Sequence, residues 1–86
     1  MRILVIEDEE RVATLIKIGL EEMGYAVTIA SEGTIGRKLA LSGLFDLIIT
    51  DVMLPDINGI AVCKAIREEL PQIPLIMLTA LGTTDD

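Results

Sequence analysis

Residues 46–59 read DLIITDVMLPDING, and the order of residue types in this segment predicts a local structure. Leu47 to Thr50 is a nearly unbroken apolar run, typical of a strand whose two faces are both covered. Asp51 follows the run directly, and residues 55–59 are rich in turn formers. The segment therefore predicts an interior β-strand that places a carboxylate at its carboxyl end.

Two other apolar runs end in polar residues in the same way. Ile3 to Ile6 precedes Glu7 and Asp8, and Leu75 to Leu78 precedes Thr79. If the runs are parallel strands, their carboxyl ends lie along one edge of one sheet. Open α/β sheets bind ligands in the crevice at that edge. The pattern therefore predicts a small acidic site.

The segments between the apolar runs have the three- and four-residue spacing of helices. The first helix is expected to end at Gly24, and the second to have Ser31 as its N-cap. The third should cover Ile60 to Leu70. The predicted strands are Arg2–Ile6, Tyr25–Ala30, Asp46–Thr50 and Pro74–Leu78; the predicted inward-facing helix residues are Val12, Leu15, Ile16, Gly19, Leu20 and Met23, then Cys63, Ile66 and Leu70.

This βαβαβαβ order predicts an α/β fold with a doubly wound, flavodoxin-like parallel sheet. Right-handed crossovers and short connections favour the strand order 2-1-3-4. In that order the first and third strands are neighbours, and the direction of winding reverses between them. We therefore expect Asp8 and Asp51 to face each other across the switch point.

The composition narrows the class of protein. The 86 residues, 51% of them hydrophobic, are enough for one domain, and we expect a single unit over residues 1–86. No apolar run approaches the roughly 18 residues of a membrane-spanning helix, so a cytoplasmic location without a membrane partner is expected. The formal charge of -7, without a basic cluster, argues against direct nucleic-acid binding.

Carboxylates brought close together repel one another, so a cation is expected between them. Mg²⁺ suits such a site because it takes one or two protein carboxylates together with water or phosphate oxygens. Asp51, at the tip of a central strand, is then the natural nucleophile for forming an acyl phosphate. The hydroxyl of Thr79 is expected to donate a hydrogen bond to the phosphoryl group.

Three segments together resemble the receiver domain of bacterial two-component response regulators. The matching segments are Ile3–Glu9, Asp46–Gly59 and Pro74–Ala80. The resemblance implies phosphorelay signalling, in which Asp51 accepts a phosphoryl group from a histidine kinase and the domain switches between inactive and active states. Such a domain is not an enzyme in the usual sense, although it assists its own phosphorylation and dephosphorylation.

The resemblance also implies roles for the neighbouring residues. Asp8 would bind Mg²⁺ directly, Glu7 would act through a metal-bound water or as a neighbour, and Met53 would offer its backbone carbonyl. Thr79 would be the switch hydroxyl, and the small Ala80 would leave the phosphoryl group accessible. An effector domain is expected in the parent protein.

The family pattern continues beyond the fourth strand with a helix, a lysine-bearing strand and a closing helix. Residues 1–86 match its N-terminal portion, so we expect a receiver truncated after the fourth strand. Lys17, Lys38 and Lys64 fall on predicted helices, so none should replace the family lysine. An uncovered strand edge over Leu75–Leu78 would favour self-association.

Two alternatives come from other functional classes. Haloacid-dehalogenase enzymes also phosphorylate an Asp after a strand, but their chemistry needs a second Asp two positions on, where this chain has Met53. The other alternative is a receiver fragment that cannot be phosphorylated and acts only as a structural or self-associating module.

Overall fold

The computed structural model describes residues 1–78, which form four strands and three helices in alternation. The strand and helix predictions agree with it to within one or two residues at most boundaries. In chain order the elements are β1 (Arg2–Ile6), α1 (Glu10–Glu22), β2 (Ala26–Ala30), α2 (Gly33–Ala40), β3 (Leu47–Asp51), α3 (Gly59–Glu69) and β4 (Leu75–Leu78).

The four strands make one parallel sheet in the order β2-β1-β3-β4. This order confirms the predicted doubly wound topology. Ile6 of β1 is in register with Thr50 of β3, and Thr50 is in register with Met77 of β4. Glu7 and Asp51, the next residues along their strands, therefore lie at the same edge of the sheet.

The helices cover both faces of the sheet. On one face, α1 packs Ile16 and Leu20 against the inward side chains of β1, β2 and β3. On the other face, α3 contributes Val62 and Ile66, which are fully buried. The buried members of this second cluster are Leu4, Ile6, Ala30, Ala40, Phe45, Ile48, Val62 and Ile66.

The predicted inward face of α1 was too wide. Ala13, Ile16 and Leu20 form the side that meets the sheet, whereas the side chains of Leu15 and Met23 are 70% and 67% exposed. Successive residues of a helix are turned by about 100°, so Leu15 points well away from the line through Ile16 and Leu20. Part of the apolar surface of α1 is therefore open in the described structure.

Helix α2 begins differently from the prediction. Glu32, not Ser31, occupies the N-cap position, and its side chain makes no capping hydrogen bond within the described residues. Ser31 lies one residue too early to cap a helix whose first residue is Gly33. At the end of α1, Gly24 has a φ of 92°, in the left-handed region that glycine tolerates best, as its predicted role requires.

The described helices are also short. The longest, α1, has 13 residues, whereas about 20 apolar residues are needed to cross a bilayer. Within residues 1–78, none of the helices could span a membrane.

Candidate functional site

Three carboxylates meet at the carboxyl ends of β1 and β3. Glu7, Asp8 and Asp51 each place a carboxylate oxygen within 4.8 Å of those of the other two. Glu7 is buried, with 4% of its surface exposed, while Asp51 is half-buried and Asp8 is exposed. The cluster therefore runs from the interior of the fold to solvent.

The sheet fixes the backbone of this cluster. The amide of Glu7 donates to the carbonyl of Ala30 at 2.9 Å, which continues the β1–β2 pairing past the end of β1. The amide of Val52 donates to the carbonyl of Leu78 at 2.9 Å and continues the β3–β4 pairing in the same way. Glu7 and Asp51 are therefore held by hydrogen bonds that extend the sheet.

Burial raises the pKa of Glu7 above its ordinary value, and the negative charges of Asp51 and Asp8 raise it further. One interaction acts in the opposite direction, because the amide of Glu9 donates to Glu7 Oε2 at 2.9 Å and lowers the pKa. Burial and the two neighbouring carboxylates thus both disfavour a negative charge on Glu7. A cation bound between the carboxylates would relieve the repulsion.

The donor set indicates which cation fits. All three side chains offer oxygen, and no sulfur or imidazole belongs to this cluster. Carboxylate oxygens suit hard cations such as Mg²⁺, Mn²⁺ and Ca²⁺. The exposed side of the cluster, at Asp8, would leave room for water or phosphate oxygens on the metal, as Mg²⁺ requires.

The loop after β3 turns back against Asp51. The amide of Met53 donates to Asp51 Oδ1 over 3.4 Å, a long hydrogen bond, and the Met53 side chain is 68% exposed. The amide of Gly59 donates to the carbonyl of Val52 at 2.7 Å. A Cβ added at Gly59 would overlap the carbonyl oxygen of Asp51, so this position requires glycine.

The same loop supplies helix caps that the sequence did not reveal. Residues Asp56 and Asn58 were expected only to form turns. Asn58 Oδ1 accepts from the amide of Ile60 at 2.7 Å and caps α3. Asp56 instead caps α2, accepting from the amides of Gly33 at 2.8 Å and Thr34 at 2.9 Å and from the Thr34 hydroxyl.

These bonds lower the pKa of Asp56 to about 2, with the Thr34 hydroxyl as the largest cause, followed by the Thr34 amide. The partners of Asp56 are 22 and 23 residues away along the chain. Capping motifs are recognised from residues three or four positions apart, so no local pattern could have identified this contact.

Two predicted site residues, Thr79 and Ala80, lie outside the described residues. The three lysines of the prediction lie on helices as expected: Lys17 on α1, Lys38 on α2 and Lys64 on α3. Lys17 approaches Glu21 on its own helix, with 3.9 Å between Nζ and Oε2.

The chain matches one known protein family over nearly its full length. The model of the response regulator receiver domain matches residues 3–86, almost the whole chain. The chain belongs to the response regulator receiver domain family. Both the resemblance and the predicted fold are thereby confirmed, and this receiver domain is a component of two-component signalling.

The curated relatives are longer proteins. The transcriptional regulatory protein CusR of Escherichia coli K12 is 41% identical over 85 residues, which cover 99% of this chain and 37% of CusR. The receiver domain described here thus spans little more than a third of the length of this relative.

Solved structures show the same fold. The response regulator TrrA of Thermotoga maritima, in complex with Mg²⁺ and BeF, matches with a TM-score of 0.90 and 38% identity over 94% of this chain and 70% of that chain. A complex of histidine kinase ThkA with TrrA matches with a TM-score of 0.87 and 37% identity over 98% of this chain and 74% of the other.

Proposed function

We propose that this receiver domain accepts a phosphoryl group from a histidine kinase on Asp51, in a Mg²⁺-dependent reaction that switches it between inactive and active states. The observation that carries the proposal is the cluster of Glu7, Asp8 and Asp51 at the carboxyl ends of adjacent parallel strands. In this role the domain is a phosphoacceptor that assists its own phosphorylation and dephosphorylation, not an enzyme in the usual sense.

The proposed transfer needs little covalent machinery. A carboxylate oxygen of Asp51 attacks phosphorus, and the P–N bond to the kinase histidine breaks, with its electron pair staying on the imidazole. The product is an acyl phosphate on Asp51. Positioning and charge neutralisation account for most of the catalysis in such transfers.

The residues present fit a magnesium ion. Asp8 and Asp51 would bind it through carboxylate oxygens, Met53 through its backbone carbonyl, and Glu7 through a water molecule. When bound, Mg²⁺ neutralises charge on the carboxylates and on the phosphoryl oxygens. The Met53 amide already contacts Asp51 Oδ1, which supports a place for this residue at the site.

Two further roles belong to residues that follow β4. The hydroxyl of Thr79 would donate a hydrogen bond to the phosphoryl group, and Thr79 would act as the switch residue. Ala80 would leave room for the phosphoryl donor and for water. The Leu78 position, in register with Asp51 at the end of β3, supports these roles because β4 leads toward the same edge of the sheet.

The comparisons support the proposed partners. TrrA has been solved with a histidine kinase, and CusR is named a transcriptional regulatory protein that extends well beyond the matched region. We therefore assign a histidine kinase as donor and an effector domain in the parent protein, in the cytoplasm. Direct nucleic-acid binding by this segment is not expected at a formal charge of -7.

Incubation with acetyl phosphate tests the proposal. Intact-mass spectrometry should show a gain of one phosphoryl group when Mg²⁺ is present and none when it is chelated. Asp51→Asn, which keeps the shape of the side chain but removes the nucleophile, should gain nothing. If the folded wild-type chain gains no phosphoryl group, the alternative of a receiver fragment acting only as a structural or self-associating module is favoured.

A further inference from the structure

We infer that Asp56 is a positioning residue for the metal site, because it holds the loop between β3 and α3 (residues 52–58) against helix α2. The inference rests on the proposed function, since it concerns how the Met53 backbone is held beside the carboxylates. Asp56 itself is exposed and is not placed among the metal ligands.

Asp56 joins the loop to the start of α2. The Asp56 carboxylate uses both oxygens, Oδ1 on the Gly33 amide and Oδ2 on the amide and hydroxyl of Thr34. A Cβ added at Gly33 would overlap the Ile57 side chain, so the side chains of two consecutive loop residues contact the start of α2. This geometry joins two segments that are distant in the sequence.

The stability of helix α2 depends on this contact. The helix has only eight residues, two of which are the glycines Gly33 and Gly36 within it, and glycine lowers helix stability by about 1 kcal/mol relative to alanine. No side chain at its own N-cap position bonds to its first amides in the described structure. Asp56 therefore supplies the cap that α2 lacks.

Helix α2 packs against β1, the strand that leads into Glu7 and Asp8. Gly36 lies directly on Ile6, since a Cβ added there would meet Ile6 Cδ1 at 2.6 Å. Ile6 is the residue immediately before Glu7, and both Gly36 and Ile6 are buried. Asp56 consequently ties the loop to a helix whose position is set by β1.

Apart from its apolar side chains, which pack against the core, the loop has few attachments. Hydrogen bonds at Val52 and Gly59 hold its two ends. Among the described residues, Asp56 makes the hydrogen bonds that join the middle of the loop to another element. Met53 lies three residues before Asp56, so the Asp56 bonds help to set where the Met53 backbone lies relative to the β1 carboxylates.

The test compares two variants that each remove one hydrogen-bonded carboxylate. Asp56→Ala removes the contact with α2. Asp46→Ala is the matched control, because Asp46 Oδ2 accepts from the Arg2 amide at 2.7 Å at the opposite edge of the sheet. Both variants change the charge equally. MgCl₂ titration followed by amide NMR shifts gives the Mg²⁺ affinity, and hydrogen exchange without metal reports on the amides of residues 53, 54, 56 and 57.

We expect Asp56→Ala to weaken Mg²⁺ binding by about tenfold, as is typical when a group that orients metal ligands is removed. The amides of residues 53, 54, 56 and 57 should exchange faster in the same variant, and Asp46→Ala should change neither measurement. Equal Mg²⁺ affinity in folded Asp56→Ala and in wild type would overturn the inference while leaving the proposed function intact.

Two other results are also decisive. If wild type itself binds no Mg²⁺, the proposed function fails, and the metal-site role of Asp56 falls with it. If Asp56→Ala does not fold, Thr34→Val replaces it, since this variant removes one of the three donors and keeps the side-chain shape. Thr34→Val should then weaken Mg²⁺ binding in the same direction by a smaller factor, and an unchanged affinity would overturn the inference.

Discussion

Glu7 shows how the acidic site affects the stability of the fold. Its carboxylate is buried beside Asp51, and burial together with the neighbouring charges raises its pKa. A buried carboxylate without a partner cation destabilises the folded state. The metal-free domain is therefore expected to be less stable than the same fold with a neutral side chain at this position.

Glu7→Gln tests whether the buried charge of Glu7 destabilises the metal-free fold. The amide oxygen of Gln can still accept from the Glu9 amide, but the negative charge beside Asp51 is gone. Without Mg²⁺ we expect the midpoint of thermal unfolding to rise by about 2 to 5 °C, and Mg²⁺ affinity to fall. Glu10→Gln, an exposed acid in the first turn of α1, is the control and should change the midpoint little. A lower midpoint for Glu7→Gln would contradict the electrostatic account.

At Gly59 the backbone lies directly against the carbonyl of Asp51. Gly59→Ala is expected to destabilise the fold by about 1 to 3 kcal/mol, because the added Cβ would overlap the Asp51 carbonyl. Gly19→Ala, on an exposed turn of α1 with nothing within 4 Å of the added Cβ, should instead stabilise it by about 0.5 to 1 kcal/mol. Urea unfolding measures both, and equal effects would contradict the assigned contact.

At the scale of elements, the strand ends were predictable and the cross-chain cap was not. Asp8 and Asp51 follow buried apolar runs, and parallel strands bring such ends to one edge whatever the details of packing. Asp56 caps α2 through contacts that exist only after the loop before α3 has packed against α2. Leu15 was wrongly placed in the core because helical spacing alone does not say how wide a stripe the sheet covers.

The stability that Asp56 gives to the fold by capping α2 should depend on pH. A carboxylate whose pKa is lowered on folding stabilises the folded state above its unfolded pKa, about 3.9, and loses that effect as the pH falls toward its folded pKa of about 2. The stability advantage of wild type over Asp56→Asn should therefore shrink as the pH falls below about 4.

Carboxyl NMR titration measures this pKa directly. Thr34→Val should move the pKa of Asp56 back toward its ordinary value, because the Thr34 hydroxyl is the largest cause of its lowering. An unchanged pKa in that variant would show that the hydroxyl contact is not formed in solution.

At the scale of the whole molecule, apolar surface remains open on two sides of the described structure. Leu15 on α1 and Met23 at its C-terminal end are exposed. Ile76 and Met77 are exposed on β4, one of the two outer strands of the sheet over residues 1–78. Exposed apolar strands and patches favour association.

We therefore expect the 86-residue chain to self-associate, with the sedimentation coefficient rising with concentration. Ile76→Lys places a charge on the exposed side of β4 and should reduce this association. A 9.3 kDa monomer at every concentration would contradict the expectation.

Chemical trapping tests whether Asp51 carries the phosphoryl group. After incubation with acetyl phosphate and Mg²⁺, borohydride reduction converts an aspartyl phosphate to homoserine, which peptide mass spectrometry locates. We expect homoserine at position 51 and none when Mg²⁺ is chelated. Homoserine at another acidic position, or unmodified Asp51 in a folded protein shown to bind Mg²⁺, would contradict it.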